Sequence, residues 1–208
     1  MTTPSDQVIS EELQRYSIVS TAEISSAIRA YIPLMLHWNK KISVTTVTDP
    51  IEIVRFHFGE SMFAAPFLSK KNGRLADVGS GAGFPGIPLK LVFPAMEVVL
   101  IESNAKKASF LAEVIRELKL KEAQVYRGRF ESLLSGDDGF DYVAARALGM
   151  HEKLVDWSRG ALRAGGSLIL WLGEEDAAQL SAQKSWCWRE PLLIPGSQKR
   201  TILAGAPA

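Results

Sequence analysis

The chain predicts an α/β fold, a mostly parallel sheet behind a helical N-terminal segment, and three observations carry that expectation. From Arg74 onward, short runs rich in Val, Ile and Leu alternate with stretches of helical spacing. Strands joined by helical crossovers build parallel sheets with right-handed connections. The first of these runs enters a glycine-rich turn, Asp77-Val78-Gly79-Ser80-Gly81-Ala82-Gly83-Phe84-Pro85-Gly86, and the residues before about 70 carry helical periodicity alone. With 208 residues, 47% of them apolar, there is material for one large core. Residues 1–68 are expected to form a helical extension packed on residues 69–208, a single compact unit.

Taken in order, residues 5–18 suit a short helix, with Val8, Ile9, Leu13 and Tyr16 at helical spacing. Thr21 is placed to cap a second helix over 21–38, whose apolar face is Ile24, Ala27, Ile28, Tyr31, Leu34, Met35 and Trp38, with Pro33 as a point of bending. Asp49-Pro50, a cap followed by proline at the first helical position, opens a third helix through Phe63. Strands follow near 74–79, 97–102, 123–127, 140–146, 166–172, 186–194 and 199–205, seven in all. Helices lie near 86–92, 104–119, 151–161 and 174–183. Pro195-Gly196-Ser197 makes the last two strands a hairpin.

Composition narrows the function classes. A net charge of +1 gives no global basic field, so any nucleic-acid contact must rest on local patches. The single cysteine, Cys187, allows no disulfide within the chain and no cysteine-based zinc site. Residues 1–12 are polar and acidic, and no apolar run approaches the roughly 18 residues of a membrane span. A soluble, cytoplasmic protein is expected, with no membrane partner and no metal.

The glycine turn joins a strand to a helix N-terminus, where free N–H groups and a positive dipole end favour a polar or charged ligand. In parallel sheets the ligand lies outside the carboxyl ends of the strands, where strand order reverses. Glu102 ends the second strand at the interval where such folds place a ribose-binding carboxylate. The spacing Gly79-x-Gly81-x-Gly83 differs from the Gly-x-Gly-x-x-Gly of nicotinamide folds. Asp77 suits the ammonium group of S-adenosylmethionine, or else it bonds the loop's own amides.

The segment Asp77-Val78-Gly79-Ser80-Gly81-Ala82-Gly83-Phe84-Pro85-Gly86-Ile87-Pro88-Leu89 resembles the signature of the bacterial 16S ribosomal RNA guanine-N7 methyltransferases, the family long called glucose-inhibited division protein B. Further matches follow in order: Trp38-Asn39-Lys40-Lys41-Ile42, Thr48-Asp49-Pro50, Arg55 with His57 and Ser61, Glu102-Ser103 with Lys106-Lys107 and Phe110-Leu111, Arg129-Phe130-Glu131, Phe140-Asp141, Ala145-Arg146-Ala147 and Gly165-Gly166. The resemblance spans roughly residues 34–172. It implies a class I S-adenosylmethionine-dependent methyltransferase with a Rossmann-like sheet, acting on 16S rRNA or the small ribosomal subunit, with S-adenosyl-L-homocysteine as product. A monomer is expected.

Carried over by position, the resemblance puts cofactor contacts on Gly79, Phe84, Glu102, Phe130, Glu131 and Arg146; Asp77, Ser80 and Gly81 join them from the turn itself. Arg146, at the end of the fourth strand, is expected beside the transferring methyl as a catalytic residue, with Arg129 near it. Lys40, Lys41, Arg55, His57, Lys106, Lys107, Arg129, Lys199 and Arg200, with Arg127, are the candidates for RNA contact. Guanine N7 has a free lone pair and no proton to lose, so alignment matters more than a general base. Leu172 stands where the family usually has lysine, and Glu60 where aspartate is commoner. That departure keeps open a methyltransferase of the same fold with a different RNA or small-molecule substrate. The rivals from other classes are a nicotinamide-dependent oxidoreductase and a non-catalytic RNA-binding module.

Overall fold

Alternation along the strands decides the layers. In a computed structural model, which describes residues 3–133 and 139–208, Val98 and Leu100 of one strand turn to one side while Val99 and Ile101 turn to the other. Side chains of a strand point alternately to opposite faces, so an all-apolar run is a strand covered on both. Five parallel strands are built this way: β1 (Arg74–Val78), β2 (Glu97–Glu102), β3 (Ala123–Arg127), β4 (Phe140–Arg146) and β5 (Leu162–Gly173). β6 (Trp186–Trp188), β7 (Leu192–Leu193) and β8 (Arg200–Pro207) complete the sheet. The order is β3-β2-β1-β4-β5-β8-β6, with β7 also on β8, which runs antiparallel to β5. Strand order reverses between β1 and β4, where Val78 lies opposite Ala145. The turn after Val78 and the end of β4 are therefore neighbours.

The expected helical segment covers one face. Asp6–Gln14 is capped by Ser5 and Ala22–Asn39 by Thr21, whose hydroxyl accepts from the Ile24 amide. Ile9, Leu13, Tyr31 and Phe58 share one core with Leu75, Leu100, Tyr142, Ile169 and Ile202 of the sheet. The helices Gly86–Val92 and Ala105–Glu117 pack on that face too. The helices His151–Ala161 and Glu174–Ser181 cover the other, over Val78, Ile101, Val143 and Leu170.

Two expectations are corrected. The third helix starts at Pro50 under Asp49, as its cap predicts, but residues Ile53–Gly59 form π-helical turns between short α segments, Pro50–Glu52 and Glu60–Met62. The strand expected over 186–194 is two pieces, which raises the seven strands to eight. Trp186 faces Pro207 and Trp188 faces Gly205, yet Leu192 faces Ile202, a slip of one residue across Arg189-Glu190-Pro191. Proline has no N–H for the ladder, and its place is an edge or a bulge.

The Gly86 helix start packs so closely that a Cβ there would lie 2.6 Å from Leu100 Cδ2 and 2.7 Å from Asp77 Oδ2. Gly86→Ala is expected to lower stability by about 1–3 kcal/mol, read as an earlier urea midpoint with unchanged slope; an unaltered midpoint contradicts the packing argument.

Candidate active site

The glycine turn is held from three directions. The Gly79 and Ser80 amides donate to the Ile101 carbonyl of β2 (2.9 and 3.1 Å), and the Ser80 hydroxyl donates to the Asp77 carbonyl (2.8 Å). Gly79 (φ 71°), Gly81 (φ 55°) and Gly83 (φ 83°) occupy the left-handed region that side chains disfavour. From the helical segment, the Tyr31 hydroxyl donates to the Ala82 carbonyl.

Of the two roles open for Asp77, the geometry is that of a clasp. Its side chain is fully buried, and Oδ2 accepts from the Gly86 amide at 3.0 Å. Burial pushes its carboxyl up to about 7, against the pull of the Gly86 amide and the Ser80 hydroxyl, and the charge of Glu102 pushes the same way. Ser80, also buried, faces inward with it. Ser80 and one oxygen of Asp77 hold the turn, while Asp77 Oδ1 is buried with no hydrogen bond among the described residues.

Glu102 does stand at the turn. One of its oxygens accepts from the Gly81 amide (2.9 Å) and the other from the Asn104 amide (2.7 Å). Beside it, between the ends of β1, β2 and β3, is a cleft of about 220 Å³ lined by Gly79, Ile101, Ser103, Arg129, Phe130 and Glu131, and closed by Leu148, Met150 and Lys153. Phe130 is held there edge-on against Trp157, ring centroids 5.3 Å apart. A Cβ on Gly81 would have only the Gly79 carbonyl oxygen near it, at 3.7 Å. The structure thus brings together Gly79, Arg129, Phe130 and Glu131, with Glu102 and Gly81 adjoining. The sequence reading missed Leu148, Met150 and Lys153, whose one signal was their place just after the fourth strand.

Other expected site residues lie elsewhere. Phe84 packs among Tyr31, His57 and Phe58, with the His57 ring stacked on it at 4.7 Å, so it joins the helical segment to the turn instead of lining the cleft. His57 Nε2 is 2.7 Å from the Thr45 hydroxyl, and burial, helped by the charge of Arg146, pushes its pKa down to about 3. A neutral, enclosed imidazole is no phosphate contact. Arg55 pairs with Glu12 through two nitrogens, at 2.7 and 3.0 Å, and is likewise engaged. Lys40, Lys41, Lys106, Arg127, Arg129 and Lys199 are exposed and Lys107 is half-buried.

Arg146 turns away from the cleft. Its guanidinium donates to the Phe56 carbonyl (2.8 Å), Glu60 Oε2 (3.0 Å) and the Ser61 hydroxyl (3.4 Å). Glu60, 1% exposed, also receives Arg200, whose Nη1 is 2.7 Å from Oε1 and donates to Oε2 at 3.0 Å. The Trp171 indole donates to the Glu60 carbonyl at 2.9 Å. Arg146 and Arg200 are therefore partners of one buried carboxylate, and Arg200, expected among the RNA contacts, is engaged by that pairing while its side chain stays partly exposed. The sequence signal of Glu60 was its place in the family resemblance, where aspartate is commoner, on a mostly apolar helix. Among the described residues no group of three or more His, Cys, Asp or Glu is placed to hold a metal ion, and no helix is long and apolar enough to cross a membrane.

Residues 24–198 match the family model described as rRNA small subunit methyltransferase G. A protein named Ribosomal RNA small subunit methyltransferase G, from Xanthomonas axonopodis pv. citri (strain 306), is 38% identical over 180 residues, 84% of this chain and 82% of that one. A solved S-adenosylmethionine-dependent methyltransferase from Aquifex aeolicus has the same fold, with a TM-score of 0.64 at 16% identity over 82% of this chain and 97% of its own. So does the glycopeptide N-methyltransferase MtfA complexed with S-adenosylmethionine, with a TM-score of 0.58 at 11% identity, covering 71% of this chain and 87% of that one.

Fully buried Asp77 and half-buried His57 yield opposed pH effects. Asp77, raised from 3.8 to about 7, contributes stability that is full below about pH 4 and lost as pH rises through 7. His57, lowered from 6.5 to about 3, contributes stability present above about pH 6.5 and lost as pH falls through 3. Urea midpoints measured from pH 4 to 7.5 are expected to rise with pH for Asp77→Asn and to fall with pH for His57→Gln. Two variants with parallel profiles would contradict the assignment.

Proposed function

The chain belongs to the rRNA small subunit methyltransferase G family, and from that premise we propose that it methylates N7 of a guanine in 16S ribosomal RNA, acting in the cytoplasm as a monomer. It is an S-adenosylmethionine-dependent methyltransferase. The observation that carries the site reading is the cleft at the ends of β1, β2 and β3, because its lining has the chemistry of an adenosine seat.

Glu102 accepts two backbone amides and keeps further lone pairs, so it can take ribose hydroxyls without releasing the turn. Phe130 offers an apolar face to the adenine and Glu131 a polar acceptor beside it. Gly79 and Gly81 bring main chain close to the ligand where a side chain would intervene. Bound there, S-adenosylmethionine would supply an electrophilic sulfonium methyl for transfer to the N7 lone pair, with S-adenosyl-L-homocysteine as the leaving product. No proton moves, so the chain's residues have to hold, orient and exclude water. Arg129, exposed at the rim of the cleft, with Lys106, Lys107 and Arg127 on the same edge, is our candidate for phosphate contact.

Purified protein given labelled S-adenosylmethionine is expected to transfer label to small-subunit RNA or 30S subunits, with digestion and mass spectrometry locating 7-methylguanosine at one position. No transfer to either substrate would overturn the reading. Glu102→Ala is expected to weaken S-adenosylmethionine binding by about ten- to a hundredfold in calorimetry, the loss typical of hydrogen bonds to a charged group; unchanged affinity would remove the ribose role.

A further inference from the structure

A second cavity, of about 450 Å³, opens at the ends of β4 and β5. Its floor is apolar, with Trp171, Leu172 and Ile194 all largely buried. Its polar wall is Glu60 with Arg146 and Arg200 on one side, and His151 beside Asp176 on the other. One short loop divides it from the cleft assigned to the cofactor. Arg146, Ala147 and Gly149 line the cavity, whereas Leu148 and Met150 line the cleft. Ala147 sits at φ 58°, in the left-handed region, at the point where the loop turns between the two. Two cavities that share one loop are where a donor and an acceptor can meet.

Glu60 is the unusual group here. Its carboxylate is almost wholly removed from water, and Oε2 accepts from both arginines. Oε1 lies 2.7 Å from Arg200 Nη1, but that nitrogen's directed hydrogen bond goes to Oε2; Oε1 has no hydrogen bond among the described residues. Oε1 therefore has an ion contact but no directed hydrogen bond, and a ligand N–H is what would complete it. Burial pushes the Glu60 carboxyl above its ordinary value, the two guanidinium groups pull against it, and in its ionised form Glu60 is an acceptor only.

We propose that Glu60 reads the target base, accepting hydrogen bonds from N1–H and the 2-amino group of a guanine that lies against Trp171, while an arginine beside it faces O6. The inference rests on the guanine-N7 reading above. Unpaired RNA bases are recognised by splaying them out, stacking them and bonding their Watson–Crick edge. Guanine places two donors next to one acceptor on that edge, which matches a carboxylate flanked by guanidinium. Adenine offers an acceptor at N1 and no 2-amino group, so its lone pair would face the carboxylate. Anchoring the Watson–Crick edge leaves N7 on the free side of the ring. Because two arginines already neutralise Glu60, the neutral base needs no counter-charge to enter.

The test uses the full chain and two RNAs that differ only at the methylated position, one carrying guanine and the other inosine, which lacks the 2-amino group. The wild-type kcat/KM for inosine is expected to be at least tenfold lower. Glu60→Gln, which keeps the shape but puts a donor on one side, is expected to bring the guanine-to-inosine ratio to within about threefold of one, through loss of guanine activity. Wild-type protein that methylates both RNAs equally would overturn the inference and leave the methyltransferase reading standing. So would a Glu60→Gln protein with the wild-type ratio. No methylation of the guanine RNA would overturn both. Should Glu60→Gln fail to fold, the wild-type comparison still decides.

Discussion

The glycine turn beside the cleft depends on one fully buried carboxylate. Asp77 sits on β1, on the face that meets the helical segment, and the hydrogen bond it accepts from the Gly86 amide closes the turn into a ring from strand end to helix start. The cost of burying that group is visible in a pKa pushed up to about 7. Gly86 approaches Asp77 and Leu100 more closely than a residue with a Cβ could, and the turn above them runs through three left-handed glycines. The glycines are thus needed as much for what lies beneath the turn as for what binds above it.

A second buried carboxylate performs a different task across the molecule. Glu60, at the end of the third helical stretch, binds the end of β4 through Arg146 and the start of β8 through Arg200, and Arg146 in turn donates to the Phe56 carbonyl of the π-helical segment and to Ser61. Removing one member of such a set leaves a buried charge, which is why buried ion pairs are poor sources of net stability yet costly to break. The wider π turn accompanies a Phe56 carbonyl that accepts from Arg146 instead of serving only its own helix. π-Helical turns inside α-helices occur often at functional sites. Here the turn touches the arginine that the family resemblance singled out.

The sequence made the sheet legible because its inner strands are covered on both faces and must be apolar throughout. Caps were equally readable, since Thr21 and Asp49 act on amides two or three residues ahead, within local reach. The cleft was legible in Gly79, Glu102, Phe130 and Glu131, which sit at strand ends and inherit their position from the fold. What failed were assignments that depend on long-range partners. Arg146 follows β4 as expected, but Glu60, 86 residues earlier in the chain, decides where it points. Phe84 and His57 pair across the helical segment, and Arg55 finds Glu12. No periodicity encodes such choices. Pro191 did signal a broken strand, and the reading of an unbroken one overlooked it.

That break has a consequence for how the molecule behaves among its own kind. The outer border of the sheet is made of two short pieces, β6 and β7, offset by one residue, with Arg189, Glu190 and Pro191 between them. A long, flat border would present an unbroken ladder of amides and carbonyls to any passing strand. Here the ladder is interrupted by a missing N–H, a change of register and two charges. Exposed Leu192 and Leu193 lie beyond the interruption, two residues long and too short to template a neighbour. Of the two borders of the described sheet, this one is thus the poorer template for a passing strand, whereas β3 at the other border runs unbroken over Ala123–Arg127.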